Sequence, residues 1–133
     1  MDAQVDIRPY QPDDEAVLFG LASLDRGADV RTLEVLEHET VFVAEVGGVA
    51  AGYVAMRKTG PAVCVEQLFV SPDHEAQGVG RRLIEHAEGW AIAERAETLS
   101  VVVEPDNDRA LRFYHGRGFV PSGDVLELVL PRR

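Results

Sequence analysis

The chain has 133 residues, of which 46% are hydrophobic and 27% charged, as expected of one soluble domain, residues 1–133, with a single core. Its formal net charge of −10 argues against nucleic-acid binding, which needs a basic surface to displace counterions. Since the chain also lacks a long apolar run and an N-terminal signal pattern, and its lone cysteine, Cys64, cannot form an internal disulfide, we expect a cytoplasmic protein that does not insert into membranes.

The first half of the chain alternates β-rich runs with amphipathic segments. Val17, Leu21 and Leu24 recur at helical spacing. Gly47-Gly48 separates two β-rich runs, which is typical of a two-residue hairpin turn. The predicted elements are a strand at Val5–Arg8, helices at Asp13–Leu24 and Asp29–Glu37, and hairpin strands at Val41–Val46 and Val49–Met56.

The second half is predicted to alternate strands and helices. Val79, Leu83 and Ala87 form one apolar stripe of a long helix, and the valine-rich run at Leu99–Val103 is typical of a central strand. This order indicates a mixed α/β sheet with one parallel crossover. The predicted elements are a strand at Val63–Val70, a helix at Gly78–Arg95, the strand at Leu99–Val103, a helix from Asp106 or Asn107 to about Gly116–Gly118, and a strand at Val125–Leu130.

The turn before the long predicted helix has the composition of an anion site. Gly78 and Gly80 open the helix, where free N–H groups and the helix dipole favour negative charge, and Arg81 adds positive charge. A dinucleotide fingerprint would need a third glycine where the chain has Leu83, and a nucleoside-triphosphate loop would need Gly-Lys-Ser/Thr, which the chain lacks. A tight turn without a ligand stays open as the alternative for these residues alone.

A second polar pattern lies in the last predicted helix. Asn107 and Tyr114 are seven residues apart, so they share a helix face with Ala110 and Leu111. A buried phenol needs a hydrogen-bond partner. Tyr114 is therefore either a functional residue or a tyrosine whose hydroxyl reaches the surface, and the spacing alone does not decide between these roles.

Together the two segments resemble the GCN5-related N-acetyltransferase (GNAT) superfamily. The strand ending Leu68-Phe69-Val70-Ser71-Pro72 and the following glycine loop are similar to its acetyl-coenzyme A motif, Gln/Arg-x-x-Gly-x-Gly/Ala. The last helix is similar to its Asn-x-x-Ala-x-x-x-Tyr helix, which a Gly-Phe pair follows, here Gly118-Phe119. The resemblance covers essentially the whole chain. It implies a single-domain α/β fold with a mixed, mostly antiparallel β-sheet, a V-shaped splay between central strands, and about four flanking helices.

The resemblance implies an N-acetyltransferase that uses acetyl-coenzyme A. The four histidines show no metal-ligand spacing, so we expect no metal. By analogy, Tyr114 would protonate the leaving thiolate as general acid, and a main-chain N–H of Phe69 or Val70 would hold the oxyanion. Direct attack by a primary amine in a ternary complex would leave Cys64 as a small packing residue. The implied cofactor-binding residues are Leu68, Phe69, Val70, Ala76, Gln77, Gly78, Val79, Gly80, Arg81, Asn107 and Ala110.

Two residues depart from the family's loop pattern. Glu75 stands where glutamine or arginine is expected, and Ala76 stands where glycine is frequent. A carboxylate that faced the diphosphate would repel it. Because such loops bind mainly through backbone N–H groups, we expect Glu75 to point to solvent and cofactor binding to be weakened rather than lost.

The sequence leaves alternatives open for the general base that deprotonates the amine and for the charge of the acceptor. Glu66 is the first candidate base and Glu104 the second, while a water chain without a dedicated base is the third option. Strand alternation puts Glu66 on the same face as Cys64 and Leu68. Residues 1–48 hold 11 acidic and 3 basic residues, a net charge of −8 against −2 for residues 49–133. This would suit a cationic acceptor, although solvated helix faces are the simpler explanation.

Other interpretations of the whole chain are also open. It could be a non-catalytic domain that binds acetyl-coenzyme A as a regulator or sensor, and the departure at Glu75 favours that alternative slightly. An exposed last strand could pair two subunits into a homodimer. A toxin that acts on aminoacyl-tRNA fits poorly, because the acidic charge disfavours tRNA.

Overall fold

One mixed sheet of seven strands forms the centre of the computed structural model, which describes residues 4–23 and 30–131. The strand order is β1-β2-β3-β4-β5-β7-β6. Among the described strands only β4 and β5 pair in parallel, and α3 forms the crossover between them. The strands are β1 Val5–Pro9, β2 Thr40–Val46, β3 Val49–Thr59, β4 Ala62–Val70, β5 Thr98–Val101, β6 Val120–Ser122 and β7 Val125–Val129; the helices are α1 Glu15–Ala22, α2 Val30–His38, α3 Val79–Ala93 and α4 Asp108–Gly116.

The predicted order of elements is confirmed, with three corrections. The short strand β6 was not predicted, because its three residues, which include Pro121, carry no alternating pattern. The strand predicted at Leu99–Val103 ends at Val101. The last strand is not an exposed edge, since β7 pairs with β5 on one side and β6 on the other. The predicted positions from Leu24 to Asp29 lie outside the described residues.

Two hydrophobic clusters cover the two faces of the sheet. The larger cluster packs α3 and α4 against one face. The smaller cluster packs α1 and α2 against β2, β3 and β4 on the other face. The predicted hairpin turn is confirmed, because Gly47 and Gly48 have φ values of 60° and 79°, as a type I′ turn requires. None of the described helices is both long and apolar enough to span a membrane.

A β-bulge interrupts the pairing of β3 with β4. Ala55 pairs with Gln67 while Met56 pairs with Val65, so Glu66 is an extra residue on β4. A bulge reverses the alternation of the side chains beyond it. Val65 and Leu68 consequently pack in the same cluster although they are three residues apart. The predicted common face for Glu66 and Leu68 is therefore wrong.

The sheet opens between β4 and β5 beyond the bulge. The two strands are paired only from Ala62–Val65 to Thr98–Val101. Residues 67–70 of β4 pair with β3 alone, so within the described chain their other backbone edge faces no strand. This opening is the predicted V-shaped splay, and it leaves main-chain N–H and C=O groups available in the middle of a sheet.

Gly52 allows β3 to approach the end of β4. A Cβ atom at Gly52 would lie 2.3 Å from the carbonyl oxygen of Phe69, which is far inside van der Waals contact. We expect Gly52→Ala to lower the free energy of unfolding by about 1–3 kcal/mol, the usual cost of overpacking. Urea denaturation measures the change.

Gly89→Ala is the matched control for this prediction. Gly89 lies in α3, and a Cβ there would have nothing within 4 Å. The control should raise stability by about 0.5–1 kcal/mol through helix propensity. Equal stability of Gly52→Ala and the wild type would show that the close approach at Phe69 does not constrain this pair of strands.

Candidate active site

The loop between β4 and α3 ends with two residues in the left-handed conformation, followed by a helix without a side-chain cap. Ala76 has a φ of 64° and Gly78 a φ of 83°, in the left-handed region that favours glycine. Gly78 is the N-cap of α3 and has no side chain that could accept from the amides of the first turn. These amides and the dipole of a 15-residue helix make the loop suitable for an anion. Glycine would adopt the φ of Ala76 more readily than alanine does.

The end of β4 lies against the start of α3. A Cβ atom at Gly80 would be 3.6 Å from a methyl group of Val70 and 4.0 Å from the ring of Phe113. The glycine therefore brings the open end of β4, the first turn of α3 and the middle of α4 close together. Leu68 and Val70 pack into the larger cluster, and Phe69 packs into the smaller one beside Tyr53.

The α4 helix is capped by Asn107, one of the two residues predicted for this position. The side-chain oxygen of Asn107 accepts a hydrogen bond from the amide of Ala110 at 3.1 Å, which satisfies one free donor of the first turn. This bond uses the carbonyl end of the amide group, so the Asn107 NH₂ group is directed elsewhere. Val79 is buried beneath the loop, while Ala76 and Arg81 are exposed.

Tyr114 is buried beside the splay. Its side chain is 4% exposed and belongs to the cluster that contains Val65 and Val101, the last paired residues of β4 and β5. Its ring makes edge contacts with Phe113 and Phe119, at centroid distances of 5.0 and 5.3 Å. No hydrogen bond joins its hydroxyl to any described residue.

Burial keeps the phenol of Tyr114 protonated. Loss of solvation raises the pKa of Tyr114 to about 12, because the charged phenolate is disfavoured in an apolar environment. The residue is therefore a proton donor throughout the neutral range. A hydroxyl without a partner in the described chain is also one that a ligand can meet.

Glu66 lines a cleft on the face of the sheet opposite Tyr114. Its side chain is 16% exposed, and its carboxylate is 2.9 Å from the guanidinium of Arg57. The bulge turns Glu66 toward α2, and the cleft has a volume of about 420 Å³. It is lined by Glu34, Val35, His38, Glu39, Arg57 and Glu66. The second candidate, Glu104, is exposed and lines no part of this cleft.

Sequence reasoning missed two arginines near the predicted site residues. Arg57 lies in β3 just beyond the predicted end of that strand, so its pairing with Glu66 could not be anticipated. Arg109, in the first turn of α4, lies 3.3 Å from the carboxylate of Glu75. Glu75 is exposed as predicted, but it has this cationic partner. In the sequence, only the position of Arg109 two residues after Asn107 could have indicated that it lies near the site.

The side chains of Cys64 and Gln77 differ in their hydrogen bonding. Cys64 accepts a hydrogen bond from Ser100 at 3.1 Å and is half-buried. The side-chain oxygen of Gln77 is buried without a partner among the described residues. No group of histidine, cysteine and acidic side chains in the described chain is arranged to hold a metal ion.

Comparisons with known proteins give a family and a set of similar folds. The model of the acetyltransferase (GNAT) family matches residues 7–119. An uncharacterized N-acetyltransferase of Archaeoglobus fulgidus is 32% identical over 88 residues, which cover 59% of this chain and 58%, less than two thirds, of that protein.

Two further proteins have similar sequences or folds. The aminoglycoside N(6′)-acetyltransferase type 1 of Salmonella typhimurium is 26% identical over 108 residues, 74% of each chain. The crystal structure of Ard1 from Thermoplasma volcanium has a TM-score of 0.86 at 20% identity, and the match covers 96% of this chain and 99% of that one. At this identity the structural match shows a common fold.

Proposed function

Because this chain belongs to the acetyltransferase (GNAT) family, we propose that it transfers the acetyl group of acetyl-coenzyme A to a primary amine, by direct attack in a ternary complex. The observation that carries the proposal is the splay. A strand with a free backbone edge lies against a glycine-opened helix, and a buried, protonated tyrosine packs in the same hydrophobic cluster. These are a strand partner, an anion site and an acid, the three groups that a thioester donor requires.

The cosubstrate is assigned to the loop and the splay. The main-chain amides of residues 76–81 and the charge of Arg81 hold the diphosphate. The pantetheine arm extends along the free edge of Leu68, Phe69 and Val70 and pairs with it as a further strand would. The amide of Asn107 contacts this arm, and the small side chain of Ala110 gives it room. The uncapped start of α3 and the absent Cβ at Gly80 support this assignment.

The transfer is a single exchange of bonds at the acetyl carbon. The amine nitrogen forms a bond to the carbonyl carbon while the carbonyl oxygen, held by the N–H of Phe69 or Val70, takes up negative charge. The C–S bond then breaks, and Tyr114 gives its proton to the leaving thiolate. Its raised pKa favours the protonated form that this step needs. The proton lost by the amine goes to Glu66 or to water that Glu66 orients.

The acceptor is proposed to be a cationic amine. Three carboxylates, those of Glu34, Glu39 and Glu66, line the cleft, against one guanidinium, that of Arg57. A lysine-like amine has a pKa near 10.4, so its deprotonation at pH 7 costs about 4.6 kcal/mol, and a nearby base reduces that barrier. The name of the similar Salmonella protein points to aminoglycosides, which are polycationic amines, and this agrees with an acidic cleft.

An acceptor screen that follows the release of free coenzyme A tests the proposal. The panel pairs polycationic amines and lysine-rich peptides with neutral and acidic peptides. We expect turnover with the cationic members and a KM that rises with salt, because exposed charge pairs are screened. Turnover confined to the neutral or acidic members would contradict the acceptor class.

Thermal unfolding with acetyl-coenzyme A separates the catalytic proposal from the alternative of a binding module. A ligand of the native state raises the melting temperature. A raised melting temperature without thiol release across the whole panel would favour a non-catalytic sensor. An unchanged melting temperature would contradict the cosubstrate itself.

A further inference from the structure

The loop that opens α3 carries an acidic residue that is paired to another helix. The carboxylate of Glu75 lies 3.3 Å from the guanidinium of Arg109 on α4, although the two residues are 34 apart in the sequence. Both side chains are substantially exposed, 45% for Glu75 and 73% for Arg109. The contact therefore joins two elements at the rim of the proposed diphosphate site.

The position of Arg109 follows from the packing of α4. Phe113 is one helical turn after Arg109 and thus shares its face. The ring of Phe113 lies 4.0 Å from where a Cβ of Gly80 would be. The face of α4 that carries Arg109 therefore lies over the glycine-opened start of α3, and the arginine side chain crosses to the loop at Glu75.

The charges of the loop make an exchange of partners favourable. An exposed ion pair such as this one is weak, because water screens it and two long side chains lose mobility. A diphosphate carries more charge than a carboxylate and offers oxygen pairs that fit the fork of a guanidinium. Arg81, the cation nearest in sequence, lies 3.7 Å from Glu85 on its own helix.

We propose that Arg109 supplies the loop with the cation that its first position lacks. When acetyl-coenzyme A binds, Arg109 leaves Glu75 and pairs with the diphosphate, and Glu75 acts as a built-in competitor that limits affinity. The inference rests on the proposed function only in that acetyl-coenzyme A is the ligand. In this proposal Glu75, which departs from the family's loop pattern, is the residue that Arg109 pairs with while the diphosphate is absent.

Calorimetry with acetyl-coenzyme A on the full chain tests the proposal through two single variants and their combination. Arg109→Gln should weaken binding about 10-fold or more, as expected for loss of a charge-assisted contact. Glu75→Gln should tighten binding several-fold, because the competitor is gone. The double variant should bind more weakly than Glu75→Gln, since Arg109 still acts when Glu75 is neutral.

Arg112→Gln is the matched control, since Arg112 is an exposed arginine of the same helix. It changes the net charge equally but lies about 60° round the helix from Arg109. Equal losses in Arg109→Gln and Arg112→Gln would overturn the proposal in favour of a general charge effect. Weaker binding by Glu75→Gln would overturn the competition.

A second ligand locates the contact on the cosubstrate. Acetyl-pantetheine lacks the diphosphate, so its effect on the melting temperature should be the same in the wild type and in Arg109→Gln. If Arg109→Gln reduced the rise in melting temperature equally with both ligands, the assignment of Arg109 to the diphosphate would be overturned. If the wild type does not bind acetyl-coenzyme A, the proposed function fails. If the wild type binds it and Arg109→Gln binds it with the same affinity, only the present inference is overturned.

Discussion

Replacement of Tyr114 by phenylalanine is expected to lower kcat by about 10²–10⁴-fold, the range that a positioned general acid contributes, and to leave the dissociation constant of acetyl-coenzyme A nearly unchanged. The substitution removes one hydroxyl and keeps the ring contacts with Phe113 and Phe119. Since that hydroxyl has no hydrogen-bond partner among the described residues, its loss should cost little stability. Steady-state release of coenzyme A and calorimetry measure the two quantities.

Tyr10→Phe is the control for this prediction. Tyr10 is a partly buried tyrosine that packs against the smaller cluster, on the face of the sheet opposite Tyr114, and its substitution should keep full turnover. An unchanged kcat in Tyr114→Phe would remove Tyr114 as the acid. A loss of kcat that is matched by a large loss of cosubstrate affinity would instead indicate a role in binding.

The pH dependence of Tyr114 has a definite sign. Burial raises the pKa of its phenol from 10.0 to about 12. The contribution of this neutral group to stability is therefore fully present below pH 10 and is lost as the pH rises from 10 toward 12. We expect no alkaline fall in kcat from Tyr114 below about pH 10, where the acid stays protonated.

Replacement of Glu66 by glutamine is expected to lower kcat/KM for the amine by about 10²-fold or more, as for loss of a general base. The bulge is the reason for choosing Glu66, because it turns this carboxylate out of the larger cluster and into the acidic cleft. The loss of the ion pair with Arg57 should cost less than about 1 kcal/mol of stability, since the arginine is 58% exposed. Steady-state release of coenzyme A at varied amine concentration measures the effect.

Glu104→Gln decides between the two candidate bases. Glu104 is exposed on the segment before α4, so its substitution should leave kcat/KM within about 2-fold of the wild type, as for most surface changes. A large loss in Glu104→Gln with none in Glu66→Gln would reverse the assignment. Loss in neither variant would favour proton removal by a water chain.

The sequence was most informative where local chemistry decides the structure. Paired glycines predicted the hairpin at Gly47-Gly48, and Asn107 was a predicted cap whose side chain accepts the expected bond. Long apolar stripes predicted α3 to within two residues, with bounds of Val79–Ala93. In each case the determinant is a few neighbouring residues, and no tertiary contact is needed to recognise it.

The features that could not be predicted depend on residues distant in sequence or on a single inserted residue. The bulge at Glu66 leaves the composition of β4 unchanged, so the alternating pattern gave the wrong face for Leu68. Only three residues make up β6, which is too short for a pattern. The pair formed by Glu75 and Arg109 joins positions 34 apart, a distance over which sequence spacing carries no geometric information.

The open edge of β4 also bears on how the protein avoids aggregation. Unpaired strand edges normally attract strands of other molecules and so promote fibrils. Here residues 67–70, which are unpaired on one edge within the described chain, lie in the interior of the sheet, and the pairing of residues 62–65 with β5 closes one end of the gap. A polypeptide strand from another molecule could not continue past the closed end of the gap, whereas a slender ligand that ends there fits. The geometry therefore admits a small extended molecule and excludes a neighbouring chain.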